Sequence, residues 1–115
     1  MRPAPDDRPL ALLVTCGSRD EAARIARALV ERRLAACAQV SAIDSVYRWQ
    51  GEVCAEPEWR LLVKTTAGCA PAAEAAIRAL HSYDLPAIVG LAFERVPADV
   101  AAWIAASCAM PGAAP

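Results

Sequence analysis

The spacing of apolar positions changes along the chain in a way that predicts alternating strands and helices. A continuous apolar run at residues 10–16 is typical of a buried strand. Ser18 and Glu21 then have the spacing of a capping box, in which Ser18 accepts the Glu21 N–H and Glu21 reaches back to Ser18. The helix that follows is predicted to end near Arg33 and to bury one apolar stripe. That stripe consists of Ala22, Ile25, Ala26, Leu29 and Val30.

A long β-hairpin is predicted next. Residues 38–49 are rich in β-branched and aromatic side chains, Gln50 and Gly51 indicate a tight turn, and residues 52–66 form the return strand. Pro57 interrupts the return strand and has no N–H to donate, so it should lie at a sheet edge or a bulge.

The predicted hairpin is too long for the body of the domain. Arms of about 12 to 15 residues extend roughly 40 Å at about 3.3 Å per residue, whereas a chain of this size has a radius of gyration of about 13 Å. The overhanging part would expose apolar surface and an unpaired edge, which a second copy of the chain can cover. We therefore expect an obligate, cyclic oligomer. The expected interface residues are Val46, Tyr47, Trp49, Val53 and Trp59.

The remaining pattern completes an α+β fold. A second helix is predicted from Pro71 to about His81, a further strand over residues 87–95, and a last helix from Pro97 to about Ser107. The apolar face predicted for the last helix consists of Val100, Trp103 and Ile104. The order β-α-β-β-α-β-α predicts a ferredoxin-like βαββαβ sandwich with an extra C-terminal helix.

The predicted domain organisation is simple. The length of 115 residues fits one domain, which we place at residues 10–108. The leader at residues 1–9 and the tail at residues 109–115 are expected to be flexible.

Composition excludes several classes of protein. The apolar fraction of 57% excludes a disordered chain, although 28 of the residues are alanine and contribute little burial each. A net charge of −1 without a basic run argues against nucleic-acid binding. Neither a membrane span nor a secretory signal is predicted. Five cysteines without a C-x-x-C pair favour a reducing compartment, and we expect the cytosol.

Cys16 is the first candidate for chemistry. It is predicted to end the first strand just before a helix N-terminus, where backbone N–H groups and the helix dipole favour a thiolate. A thiolate is both a nucleophile and a metal ligand. The alternative is that Cys16 is a small buried apolar side chain at the end of a strand.

Two residue types occur only once and therefore draw attention. His81 is the only histidine and lies near the end of the second predicted helix, where it is either a capping cation or a metal ligand. Lys64 is the only lysine and lies late in the return strand, where it either contacts an anion or forms a salt bridge. A phosphate-binding loop, a Ser-His-Asp order and an H-E-x-x-H motif are absent from the sequence, so we do not expect an enzyme.

Four segments together resemble a known family. They are LAAC at residues 34–37, SVYRWQGE at 45–52, KTT at 64–66 and HSYDLP at 81–86. In this order and spacing they resemble the CutA family of divalent-ion tolerance proteins, and the resemblance runs from about residue 12 to residue 107.

The resemblance implies a ferredoxin-like subunit in a tight homotrimer that binds copper or another divalent metal and does not need the metal in order to fold. Cys16 and His81 match the positions to which copper ligation is attributed in the family. Three positions depart from the family pattern, in which His-Pro-Tyr is often preceded by a second histidine and the later proline is usually followed by an acid. These positions are Leu80, Ser82 and Ala87, and they predict a lower affinity for metal.

The family also resembles the PII signalling proteins in fold and assembly. Those trimers bind small effectors between subunits, so the alternative function is a sensor of a small anionic effector. By that analogy the residues of the intersubunit cleft would be Lys64, Tyr83 and Trp49.

Overall fold

The computed structural model describes residues 6–108, and their elements follow the predicted order. The strands are β1 (Pro9–Cys16), β2 (Cys37–Trp49), β3 (Glu52–Thr66) and β4 (Ile88–Ala92). The helices are α1 (Arg19–Glu31), α2 (Ala70–Leu80) and α3 (Ala98–Ser107). The fold is therefore α+β with the extra C-terminal helix, as predicted, although β4 is shorter than the predicted strand over 87–95.

The four strands form one antiparallel sheet in the order β2-β3-β1-β4. β1 lies inside the sheet between β3 and β4, which explains why its sequence is almost entirely apolar. This order, with α1 and α2 as the connections, is the predicted ferredoxin-like arrangement.

The core lies between the sheet and the first two helices. Ile25 and Leu29 of α1 and Ile77 of α2 belong to one buried cluster with Val14 of β1 and Leu61 of β3. Fully burying a side chain of this size contributes about 1.5–3 kcal/mol relative to leaving it exposed. The cluster packs α1 and α2 together against the sheet.

The hairpin of β2 and β3 extends well beyond this core, as predicted. β1 reaches only as far as Trp59, so the part of β3 before that residue has β2 as its one neighbour. The molecule is accordingly elongated, at 51 × 28 × 24 Å. Pro57 pairs with Asp44 in this outer part, which confirms its predicted edge position. Gln50 and Gly51 both have positive φ angles, 49° and 83°, as the tight turn requires.

The residues predicted for the oligomer interface differ in their exposure within the subunit. Val46 and Val53 are 74% and 64% exposed, and Trp49 is also exposed. Tyr47 is half-buried. Trp59 is half-buried as well because it packs against the core where the hairpin leaves the body, with the Arg19 guanidinium 5.8 Å from its ring.

Two helices differ from their predicted form. α1 ends at Glu31 instead of near Arg33, because Arg33 has a φ of 59° and the Leu34 N–H donates to the Leu29 carbonyl, closing the helix. In α3 the predicted apolar face is only partly buried: Ile104 is buried, whereas Val100 and Trp103 are exposed.

The predicted leader and tail fall largely on residues 1–5 and 109–115, which lie outside the described residues. Within the leader, the backbone carbonyls of Asp6 and Arg8 accept hydrogen bonds from Gly68 and Ala67. Between residues 6 and 108, no helix combines the length and the apolar character that crossing a membrane requires.

Candidate functional site

Cys16 is placed by the end of β1 and by the start of α1. It is the last residue of the strand and its side chain is completely buried. The chain then turns at Gly17, and the Ser18 Oγ accepts the Glu21 N–H at 3.1 Å to begin the helix. This half of the predicted capping box is confirmed.

Glu21 was not identified as a site residue from the sequence. Its side chain is only 8% exposed, and its Oε1 atom is buried without a hydrogen-bond partner. Instead of forming the other half of the capping box, the carboxylate faces His81, with Oε1 3.6 Å from Nδ1. The sequence carries one signal for this placement. Glu21 lies in the first turn of the helix that follows Cys16, so its side chain can reach back over the end of β1.

His81 follows α2 directly, and its imidazole is fully buried. Nε2 lies 2.7 Å from the Thr15 carbonyl oxygen, which can only accept, so Nε2 carries a proton and donates. Nδ1 accepts the Tyr83 backbone N–H at 3.0 Å and therefore carries no proton. This buried arrangement is not that of an exposed capping cation.

The three side chains come together although they belong to three different segments. The ligand atoms of Cys16, Glu21 and His81 all lie within 4.8 Å of one another. Sulfur, nitrogen and oxygen donors in a tetrahedral zinc site are about 3.5 Å apart, so a contraction of about 1 Å would close this cluster around an ion. The Nε2–H bond to Thr15 is the kind of outer contact that orients a metal-ligating histidine. The donors therefore fit a transition-metal ion.

The Cys16 thiol is less acidic than the helix N-terminus suggests. Burial, followed by the nearby carboxylates of Glu21 and Glu58, raises the pKa of Cys16 to about 11. The raised pKa favours the protonated thiol in the metal-free chain, which agrees with the alternative that Cys16 is a small buried side chain at the end of a strand. A metal ion would have to displace the thiol proton.

A groove of about 820 Å³ lies between the hairpin and the segment after α2. The Tyr83 hydroxyl donates to Glu58 at 2.8 Å across this groove, and burial and that hydrogen bond raise the pKa of Tyr83, so the hydroxyl keeps its proton. On the hairpin, the Tyr47 hydroxyl donates to Glu56 in the same way.

Only two of the three residues predicted for an effector cleft meet in this groove. Trp49 and Tyr83 line it, whereas Lys64 lies near the other end of β3, opposite Ala11 and Cys37. Within residues 6–108, Lys64 forms no ion pair. The charged side chains that line the groove are Asp44, Glu56, Glu58, Arg60 and Asp84. Four carboxylates against one guanidinium do not favour an anionic effector.

Comparisons with known proteins agree with this fold and with these residues. The family described as CutA1 divalent ion tolerance protein matches residues 10–107. The divalent-cation tolerance protein CutA of Thermus thermophilus is 49% identical over 81 residues, which are 70% of this chain and 79% of that protein. Protein CutA of Mus musculus is 34% identical over 95 residues, and the match covers 82% of this chain but only 54% of that protein.

A solved structure extends the agreement to three dimensions. The periplasmic divalent cation tolerance protein CutA of Archaeoglobus fulgidus superimposes with a TM-score of 0.84 at 32% identity, covering 86% of this chain and 97% of that one. The family match spans all seven elements of the fold. The chain therefore belongs to the CutA1 divalent ion tolerance family.

Proposed function

We propose that this protein binds a divalent transition-metal ion at Cys16, Glu21 and His81 and serves in the response to metal ions as a binding protein, not an enzyme. The observation that carries the proposal is the convergence of three donors of different chemistry in a buried position, one of which, Glu21 Oε1, has no hydrogen-bond partner. Relatives in the family are named for divalent-cation tolerance.

The donor set also indicates which ions suit the site. Thiolate and imidazole favour copper or zinc over magnesium or calcium, which prefer oxygen. With Cys16 and Glu21 deprotonated, the ligands carry a charge of −2, which a divalent ion neutralises. Ala87 stands where the family usually has an acidic residue. Glu21 would supply a carboxylate to the site in its place. We expect the chain to fold without the ion, since its core cluster consists of apolar side chains.

The assembly that we propose is a homotrimer. The exposed side chains of Val46, Trp49 and Val53 on the overhanging hairpin support an interface there. Both outer edges of this apolar arm are unpaired within the subunit, and a neighbouring chain can pair with them and cover them. Sedimentation equilibrium tests this directly, and a mass equal to one subunit at micromolar concentration contradicts it.

The compartment that we propose is the cytosol, on the basis of the odd number of widely spaced cysteines. The relative from Archaeoglobus fulgidus is described as periplasmic. Fractionation of cells that express the tagged full chain tests the proposal, and recovery in a periplasmic extract contradicts it.

The metal site is tested by calorimetry with Zn²⁺, and with Cu²⁺ under anaerobic conditions, on the wild type and on Cys16→Ala and His81→Ala. Each variant removes one ligand, and we expect affinity to fall by about a hundredfold or more. The matched control is Cys54→Ala, which removes a half-buried thiol on the hairpin. The control should bind like the wild type, and equal binding by Cys16→Ala and the wild type contradicts the proposal.

A further inference from the structure

The imidazole of His81 has no free lone pair in this structure. Nε2 carries its proton toward Thr15, and Nδ1 has a single lone pair, which accepts the Tyr83 backbone N–H at 3.0 Å. Nδ1 is also the ring nitrogen that faces Glu21. An sp² nitrogen cannot accept a hydrogen bond and ligate a metal with the same lone pair, so a metal ion and the Tyr83 N–H compete for one atom.

We propose that Tyr83 is a latch: ligation of a metal by His81 Nδ1 releases the Tyr83 N–H, and the release moves Tyr83 and reshapes the groove beside it. This inference rests on the proposed metal site and adds its regulation. Metal binding at the buried site would then change the conformation of the groove at the surface of the subunit.

Tyr83 is held too closely for its amide to move alone. Its hydroxyl donates to Glu58, which is itself buried, at 2.8 Å. Its ring lies against Gly17, where even a Cβ atom would come within 2.9 Å of the Tyr83 oxygen. Its ring centroid is 4.8 Å from that of His81. A shift of about 1 Å at the amide, enough to break its hydrogen bond, therefore also disturbs the hydroxyl bond to Glu58.

The movement would reach the groove because the latch forms part of its wall. Ser82, Tyr83, Asp84 and Leu85 follow His81 directly and line one side. Glu58 lines the groove as well, so release of the Tyr83 hydroxyl leaves a carboxylate there without its donor. Metal occupancy would thus alter the shape and the polar character of this surface together.

The coupling makes a prediction with a definite sign. Tyr83→Phe removes a hydrogen bond that exists only in the latched state, so it should strengthen Zn²⁺ binding by about threefold to tenfold. A residue that merely supported the site would weaken binding when altered. The matched control is Tyr47→Phe, which removes the corresponding bond to Glu56 on the hairpin and should leave Zn²⁺ affinity unchanged.

A second measurement follows Tyr83 itself. The chain has two tyrosines, so labelling with 3-fluorotyrosine gives two ¹⁹F resonances, which Tyr47→Phe assigns. During a Zn²⁺ titration the Tyr83 resonance should change and reach its end point at the same stoichiometry as the calorimetric signal. The resonance of Tyr47, which lines the same groove but does not contact His81, should shift less. Neither resonance should change in Cys16→Ala.

The outcomes separate the latch from the metal site. Zn²⁺ binding that depends on Cys16 and His81, together with equal or weaker binding by Tyr83→Phe, overturns the latch and leaves the proposed function intact. A Tyr83 resonance that does not change at Zn²⁺ saturation also overturns the latch. Failure of the wild type to bind any of the metals overturns both proposals.

Discussion

The two ends of β3 differ in how deeply their side chains are buried. Toward the body, Leu61, Val63 and Thr65 are completely buried between two neighbouring strands and beneath the helices. Toward the turn, β3 has only β2 beside it, and Val53 is largely exposed. The strand is continuous and its backbone pairing with β2 is regular along its length.

The difference comes from the second neighbour. β1 ends at Cys16, opposite Trp59, and the burial of β3 changes around that point. Side chains at the body end stabilise the fold of one subunit, whereas those at the turn end can be covered only by something outside it. Cys16, Glu21 and His81 lie near the boundary, so the candidate metal site is close to the surface that we expect to join subunits.

The largest expected effect is at the body end. Leu61→Ala removes a completely buried side chain from the core cluster and should lower the free energy of unfolding by about 2–5 kcal/mol. Denaturant unfolding at a fixed protein concentration measures this. A loss below about 1 kcal/mol would show that the body end is not the stabilising part of the strand.

At the turn end the expected effect is on association. The double variant Val46→Asp and Val53→Asp places charges on the exposed apolar arm and should weaken assembly by about a hundredfold or more, while circular dichroism stays that of a folded chain. Sedimentation equilibrium measures the assembly. Ala23→Asp, at an exposed position of α1, is the control and should assemble normally. Unchanged assembly of the double variant would refute an interface on the arm.

Cys16 lies at the boundary between the two ends, and the pH dependence of the free energy of unfolding tests its burial. The pKa of Cys16 is raised by burial from 9.0 to about 11, so the folded state holds the thiol proton more tightly than the unfolded state does. The resulting stability is fully present below pH 9 and is lost as the pH rises from about 9 to 11. Relative to Cys16→Ala, the metal-free wild type should lose about 1–2 kcal/mol over that range. Parallel pH profiles for the two proteins would contradict a buried thiol.

The smallest expected effect is the loss of stability when one hydroxyl is removed, which we compare between the body end and the arm. Thr65 donates to the Leu34 carbonyl at 2.7 Å and is buried, so Thr65→Val leaves that carbonyl without its donor and should cost about 1–2 kcal/mol. Tyr47→Phe removes a solvent-accessible hydrogen bond on the arm and should leave thermal stability unchanged. Equal losses in the two variants would erase the distinction between the ends.

Most of the fold could be predicted because its signals are local. The turn at Gln50 and Gly51, the edge position of Pro57 and the helix start at Ser18 each depend on the conformational preferences of a few residues. The ends of α1 and β4 were predicted less well. Those ends depend on where the chain turns back on itself, as at Arg33, and hydrophobic spacing carries no information about that.

The candidate site was predictable only in part. Cys16 and His81 were identified by their places in a family pattern, and the structure brings them together. Glu21 was assigned to the helix cap because its spacing from Ser18 fits that role equally well. Only the packing of α1 beside the end of α2 directs its carboxylate inward, against the usual preference of an acidic side chain for solvent.

By itself the sequence determined the order of the elements and the long hairpin, because periodicity and turn residues are local properties. It indicated Cys16 and His81 as candidate metal ligands only through their places in a family pattern. The tertiary structure alone decided which side chains meet. It placed Glu21 with Cys16 and His81, committed the His81 lone pair to Tyr83, and raised the pKa of the thiol through burial. These outcomes depend on contacts between segments up to 66 residues apart, as between Thr15 and His81, and such contacts exist only once the chain has folded.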